Sequence, residues 1–403
     1  MNIIVQKFGG TSVQSVERMN MVSDIIQNYK NDGYDIVIVV SAMGRKGDPY
    51  ATDTLVGLCE NVNEDLLRRE LDMIMHCGEV ISGSIFVNLL KSKGIDAVFL
   101  NGGQAGIITN GIYGDSRIID IRPDRIFKEL SEGKVVVVAG FQGITEDGEI
   151  TTLGRGGSDT SAVAVGKALN CDVVEIYTDV DGIMTADPRI QPSAKVLKNI
   201  NYDEVFQMAD KGAKVIHPRA VDIAKSGNIT IKVKNTMNLE HEGTIISGIR
   251  PKFENGITYE ESSLVTSIAH QTGFTQVIIR KYEEEDFIGI LNEIEKNNVT
   301  IDMINFFIKE KAFIIDAVNT KIVNIILEKY DIEYEITQQC SKVTIIGSKI
   351  SYVPGVMARI VKILSSNNIK LLQTSDSEMT ISCLVKESDM IKAVNYLHDT
   401  FEL

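Results

Sequence analysis

Through the first 245 residues, short apolar runs of strand length alternate with stretches whose apolar positions recur every three or four residues. Ile3-Ile4-Val5 is the first such run, and it ends in Lys7-Phe8-Gly9-Gly10-Thr11-Ser12. Val16, Met19, Val22, Ile25 and Ile26 then share one face of a 3.6-residue period and predict a helix. Asp35 to Val40 is rich in β-branched residues and reads as a buried strand leading straight into Ser41-Ala42-Met43-Gly44. From about residue 64 to residue 93 the pattern predicts one or two long helices, stopped at Gly94. Ala97 to Leu100, Val135 to Ala139 and Val173 to Tyr177 predict three more strands, the last ending in Thr178-Asp179. Leu153-Gly154-Arg155-Gly156-Gly157-Ser158-Asp159 opens a helix of small residues through Ala162, Ala164, Val165 and Ala168. The recurring order of buried strand, Gly-rich loop and helix predicts α/β architecture, with ligand sites at the carboxyl ends of the strands.

The pattern changes near residue 250, where Arg250-Pro251-Lys252-Phe253-Glu254-Asn255-Gly256 reads as a polar linker. Two weakly similar halves follow. Gln276 to Arg280, a helix from Phe287 to Glu295, and Asn297-Asn298-Val299 leading into Ile301 make up the start of one. Lys342 to Ile346, a helix from Val356 to Leu364, and Asn367-Asn368-Ile369 leading into Leu371 make up the start of the other. The Asn-Asn pairs lie at an offset of 70 residues, and each half continues with a further strand and helix. That content predicts two small ferredoxin-like βαββαβ units. The expected boundaries are 1–245 for the first domain, 246–262 for a linker, 263–335 for the first small unit and 336–403 for the second. Strands are open to exchange between the two.

Composition narrows the function. The chain of 403 residues carries 41 Lys and Arg against 55 Asp and Glu, a net charge of −14. That balance argues against a nucleic-acid partner, which needs a broad positive surface, yet leaves local cations free to hold small anions. The five Cys are scattered, none in a Cys-x-x-Cys pair, which predicts free thiols in a reducing compartment. The start lacks the basic and apolar regions of a signal peptide, and the longest apolar runs have strand length. A cytoplasmic protein without a membrane partner is expected. No His pair has metal-ligand spacing, so no protein metal site is expected.

Three loops could carry chemistry. In Lys7-Phe8-Gly9-Gly10-Thr11-Ser12, two glycines let backbone amides approach an anion, the following helix points its positive end there, and Lys7 could neutralise a phosphate. It is not a Walker A loop, and a tight turn with a surface lysine is the alternative. In Gly154 to Ser161, three glycines in four positions set Arg155 as a rigid fork for a carboxylate or phosphate, while Asp159 could simply cap the helix. In the third, Asp179, Asp181 and Asp187 lack the spacing of an EF-hand, and the strand end Thr178-Asp179 is the better site candidate. Glu79 sits in a helical region beside Val80 and Ile81, with Gly83 and Ser84 leaving space for a ligand; a surface Glu is the duller reading. His217 before Pro218 reads as structural.

Taken together, these loops resemble those of the aspartokinases, and the first hexapeptide is specific to that family among amino-acid kinases. The order and spacing match along the first 240 residues, and the C-terminal halves resemble paired ACT domains. No homoserine dehydrogenase half is present, so the resemblance is to the monofunctional enzymes. It implies an amino-acid kinase (carbamate-kinase-like) three-layer α/β/α sandwich followed by two ferredoxin-like ACT domains. It further implies ATP and Mg²⁺ as cofactors and L-aspartate as substrate. A feedback amino acid at the ACT seam is also implied, as is a homodimer or higher oligomer. The family's roles fall on Lys7 for the transferring phosphoryl group, Ser41 and Thr52 around aspartate, and Glu79 near its α-amino group. Arg155 falls on the substrate carboxylate and Asp159 on active-site closure. Gly9 and Gly10 fall on the phosphates, and Thr178, Asp179, Arg189 and Lys214 on the nucleotide. Met184 stands where the family often has Tyr against the nucleotide. Pro354-Gly355 opens the helix of the second unit as in ACT domains, whereas the first unit has Glu283-Glu284-Glu285-Asp286, read as a solvated acidic turn. The competing readings are another kinase of this fold, such as glutamate 5-kinase or a uridylate kinase, and a non-catalytic amino-acid sensor. Effectors compatible with the sequence are lysine, threonine and diaminopimelate.

Overall fold

A computed structural model describes residues 1–63, 67–213, 216–248 and 265–403. The chain divides into two units. Of the described residues, 1–183, 196–209 and 216–248 form the first, and 184–195, 210–213 and 265–403 form the second. Two short pieces from inside the expected 1–245 domain therefore pack with the C-terminal unit, which an account of the boundaries as cuts along the chain does not anticipate.

In the first unit the strands are β1 (Ile3–Phe8), β2 (Asp35–Val40), β3 (Ala97–Leu100), β4 (Ile107–Thr109), β5 (Ile118–Ile121), β6 (Val135–Ala139), β7 (Gln142–Ile144), β8 (Ile150–Thr152), β9 (Val173–Thr178), β10 (Asn199–Asn201), β11 (Thr230–Asn235) and β12 (Thr244–Ser247). The helices are α1 (Val16–Asn31), α2 (Thr52–Glu60), α3 (Arg68–Met75), α4 (Cys77–Ser92), α5 (Asp124–Ser131), α6 (Gly157–Ala168), α7 (Tyr202–Asp210) and α8 (Pro218–Gly227). Eight strands form the main sheet in the order β10-β12-β11-β9-β1-β2-β6-β3, and β5-β4-β7-β8 form a smaller one. The central strands β9, β1, β2 and β6 are mutually parallel, so their carboxyl ends share one edge of the sheet.

The pleat decides what each face receives. On β1, Ile4 and Phe8 pack into a core with Met19 and Ile26 of α1 and Phe86 and Leu90 of α4. Val5 and Lys7 point to the other face, toward α6. Residues 157–166 of α6 are all buried, and they are small. A Cβ on Gly166 would lie 2.5 Å from Val174 Cγ2, so the helix sits directly on the sheet. Residues 68–92 are long and apolar enough, by length and composition, to cross a membrane, in contrast to the expectation of only strand-length runs. Here they are two helices of a packed unit, carrying the buried acids Asp72 and Glu79.

The second unit contains β13 (Ser267–Arg280), α9 (Glu284–Lys296), β14 (Ile301–Phe306), β15 (Glu310–Asp316), α10 (Thr320–Leu327), β16 (Glu333–Ile346), α11 (Val356–Ser366), β17 (Gln373–Asp376), β18 (Thr380–Lys386) and α12 (Met390–Thr400). Its six strands form one antiparallel sheet, β14-β15-β13-β16-β18-β17. The two 14-residue strands β13 and β16 are shared by both repeats. Residues 276–280 of β13 pair with 333–337 of β16, and residues 267–271 pair with 342–346, with register shifts between. The first five residues of β13 thus complete the second repeat, and Ile268 packs in its core with Val343, Ile360 and Leu397. Val277 and Ile279 pack in the first repeat with Phe287, Ile290 and Phe313. Strand exchange joins the repeats into one sheet.

Candidate active site

The carboxyl ends of β1, β2 and β9 deliver three loops to one edge. Gly9 N–H donates to the Tyr177 carbonyl (3.2 Å), Ser41 N–H to the Phe8 carbonyl (3.2 Å) and Gly44 N–H to the Gly10 carbonyl (3.0 Å). A Cβ at Gly10 would lie 2.6 Å from the Ala42 carbonyl oxygen and 2.7 Å from that of Gly44, so glycine is required for the close approach of two backbones.

Lys7 reaches across to α6. Its Nζ lies 2.8 Å from Asp159 Oδ1, and both side chains are 12% exposed. The helix start at Asp159 is set by the glycine loop. Gly154 (φ +71°) and Gly156 (φ +66°) flank Arg155 in left-handed conformations, and a Cβ on Gly156 would meet the His217 side chain at 2.2 Å. His217 caps α8, accepting the Arg219 N–H, and burial lowers its pKa, followed by the Arg219 charge. It is structural, as its place before Pro218 suggests. Arg219 braces the loop through the Leu153 carbonyl (3.0 Å) and Asp115 (2.6 Å). Arg155 itself is exposed and makes no hydrogen bond or ion pair with the described residues, leaving its fork available to a ligand beside the N-terminus of α6.

Glu79 lies in the first turn of α4 and is 2% exposed. Its Oε1 accepts the Ala42 N–H at 2.9 Å, while Oε2 is buried without a partner. Burial pushes its carboxyl up to about 8, against the lowering effect of that hydrogen bond. Its unpartnered oxygen could accept a hydrogen bond from a cationic group. Gly78 lets α4 touch the 41–44 loop, because a Cβ there would sit 2.7 Å from Ala42 Cβ. The space beside Gly83 holds the Phe99 ring, which a Cβ at that position would meet at 2.3 Å, so Gly83 serves helix packing and leaves no room for a ligand. Ser41 and Thr52 are half-buried, on the loop after β2 and at the start of α2.

Thr178 and Asp179 end β9. The Thr178 carbonyl accepts the Thr236 N–H (2.9 Å), and Asp179 is paired with Arg45 from the loop after β2. Arg189 is grouped with the second unit. It is on the 184–195 segment that packs with the second unit, its guanidinium on Asp187 at 2.6 Å. Met184 belongs to the same segment, and Lys214 lies outside the described residues. Among the described residues, no group of three or more His, Cys, Asp or Glu could hold a metal ion.

Asp72 and Glu175, both buried, carry no motif that marks them along the chain. Asp72 accepts from Gly114 N–H (3.0 Å), Thr152 N–H (2.8 Å) and Thr152 Oγ1 (2.8 Å), tying the glycine loop's approach strand to α3. Glu175, 1% exposed, lies on the pleat face opposite Lys7. It accepts from Gln6 Nε2 (2.9 Å) and the hydroxyls of Tyr29 (2.7 Å) and Tyr177 (3.0 Å), with Lys234 Nζ at 3.4 Å. Burial, then the Glu175 charge, raises both tyrosine pKa values. The network fastens β1, β9 and β11 to α1 directly behind the candidate edge. The signal available in sequence was the polar alternation Gln6, Glu175 within apolar strands.

The amino acid kinase family model matches residues 2–235, and an ACT domain model matches residues 335–399. Over the full chain there is 41% identity to Aspartokinase 1 of Bacillus subtilis (strain 168), covering 100% of both proteins. Aspartokinase of Bacillus sp. (strain MGA3) is also 41% identical, over 100% of this chain and 98% of that one. Among solved structures, E. coli aspartokinase III in complex with aspartate and ADP superposes with a TM-score of 0.79 at 23% identity, covering 100% of both chains. That likeness concerns the fold.

Proposed function

We infer the chemistry from a plain premise: the chain belongs to the aspartokinases, within the amino-acid kinase family. It phosphorylates aspartate at the expense of ATP, the first step of aspartate-derived amino-acid biosynthesis, and is regulated through its ACT domains. The observation that carries the reading to this chain's residues is the 2.8 Å pair of Lys7 and Asp159 beside Gly9 and Gly10 at the carboxyl edge of the sheet.

The side-chain carboxylate of aspartate, with a pKa of about 3.9, is already ionised at neutral pH, so the nucleophile needs no general base. The difficulty is electrostatic, since an anion must approach a polyphosphate. Lys7, held in place by Asp159, and the Gly10 amide would bind the phosphoryl oxygens in a largely buried setting, where such donors act most strongly, while the Gly9 amide is committed to the Tyr177 carbonyl and only shapes the turn. Arg155 would take the α-carboxylate of aspartate and Glu79 its α-ammonium, with Ser41 and Thr52 around the rest, which sets an in-line approach. Thr178 and Asp179 would contact the nucleotide at the end of β9. Magnesium would neutralise charge on the phosphate oxygens that carry it.

The proposal includes a homodimer or higher oligomer joined through the second unit. The edge strand β14 and its turn expose Phe306, Phe307 (53%) and Ile308 (100%), an apolar sheet edge of the kind that pairs. A lysine-pathway amino acid would act at the ACT seam. The five free thiols support a cytoplasmic setting. The test is an ADP-release assay with aspartate, run beside hydroxylamine trapping of the acyl phosphate. Both signals are expected with aspartate and absent with glutamate. ADP release without trapped acyl phosphate would overturn the reading.

A further inference from the structure

The two C-terminal repeats are equivalent position by position from their first helices onward, and the equivalence exposes a difference. From α9 onward the first repeat maps on the second at the 70-residue offset: α9 on α11, β14 on β17, β15 on β18. In the second repeat a cavity of about 180 Å³ opens at the start of α11, lined among others by Ile350, Gly355, Met357, Asp376 and Ile381. At the offset of 70, Met357, Asp376 and Ile381 correspond to Phe287, Phe306 and Lys311.

Those three residues meet in the first repeat. Lys311 Nζ lies 5.0 Å from the centre of the Phe306 ring, 5.3 Å from Tyr282 and 5.9 Å from Phe287. Phe287 and Phe306 stand perpendicular at 5.9 Å, and Tyr282 leans on Phe287 at 5.8 Å. Glu284 Oε1 approaches the ammonium at 3.5 Å, so one residue of the acidic turn faces this site. The Lys311 side chain is only 11% exposed. Three rings and a carboxylate around one ammonium make the chemistry that recognises alkylated and primary ammonium groups. The connection before the helix explains the closure. Residues 281–283 are enough in the first repeat, where the second uses residues 347–355. The short connection brings Tyr282 down over the position that the long one leaves open.

We propose that the first repeat carries an alkylammonium-binding cage which the chain fills with its own Lys311, so that of the two equivalent positions only the second is open to a diffusible ligand. The test uses the full-length protein. Lys311→Ala keeps Cβ, and n-propylammonium supplies the three missing carbons and the charge. Melting temperature is followed against n-propylammonium chloride, with sodium chloride at equal ionic strength as reference. A saturable rise is expected in K311A and absent in wild type and in the K311A/F306A double variant. Equal responses in wild type and K311A would overturn the proposal. A second measurement needs no destabilised variant: in lysine-labelled wild-type protein, one side-chain methylene signal should be shifted upfield by ring currents and vanish in K311M. A spectrum with no such signal overturns the cage.

Discussion

Glu79 gives the most quantitative prediction. Its carboxyl is buried, one oxygen has no partner, and its pKa in the free protein stands at about 8. At pH 7 about one molecule in ten carries the charge that an α-ammonium needs. Apparent affinity is the intrinsic value multiplied by that fraction, so aspartate should bind about tenfold more weakly at pH 7 than on the plateau above pH 8. The affinity should rise about tenfold per pH unit from about pH 6, flattening as pH passes about 8. Calorimetry of aspartate binding over that range, in buffers of different ionisation enthalpy, should show proton release approaching one per site at the acid end. Glu79→Gln should abolish both the release and the slope. It should also weaken binding by about 10²- to 10³-fold on the plateau, the scale of leaving one partner of a buried ion pair alone. The stability of the free protein carries the complementary sign. The unfolded carboxyl ionises above about 4.5 while the folded one keeps its proton until about 8, so stability falls as pH rises across that window, and E79Q flattens it. An aspartate affinity independent of pH in the wild type, or a slope surviving in E79Q, would refute the reasoning.

The remaining predictions concern the phosphate and carboxylate sites. Lys7→Ala should lower kcat at least ~100-fold, the scale of one preorganised electrostatic donor, and Lys7→Arg should restore little because a fork replaces a point charge; steady-state rates check both. Arg155→Leu should raise KM for aspartate steeply while nucleotide affinity, read by calorimetry, changes far less; equal losses for both ligands would point to collapse of the loop. Gly10→Ala should abolish activity and lower the melting temperature, because its Cβ would be driven within 2.7 Å of two backbone oxygens that cannot yield; a fully active G10A would contradict the packed geometry of the edge.

Much of this protein was legible along the chain. Buried β-branched runs ending in glycine loops set parallel strands with a site at their carboxyl edge, because strand burial and turn conformation are local properties. The offset of 70 residues fixed two small repeats for the same reason. Other features depended on which distant segments the sheet order brings together. Strand order β9-β1-β2-β6 puts Lys7 over the start of α6, and the pleat separates it from Gln6, which joins Glu175 on the opposite face. Along the chain Glu79 is either a site acid or a surface acid, and only the packing of α4 against the 41–44 loop shows it stripped of water. Gln373 is buried in a clasp with Gln276 (3.0 Å) and Asn305 (2.6 Å) where the repeats join. Arg189 and Met184 leave the first unit because their segment finds its apolar partners elsewhere: Ala186 and Ile190 pack into the core of the second repeat. The Lys311 cage likewise draws one residue from each of two strands, two from a helix and one from a short connection. Periodicity reports how one segment meets an apolar environment, but a charge acquires its partner, and its pKa, only from the segments folded against it.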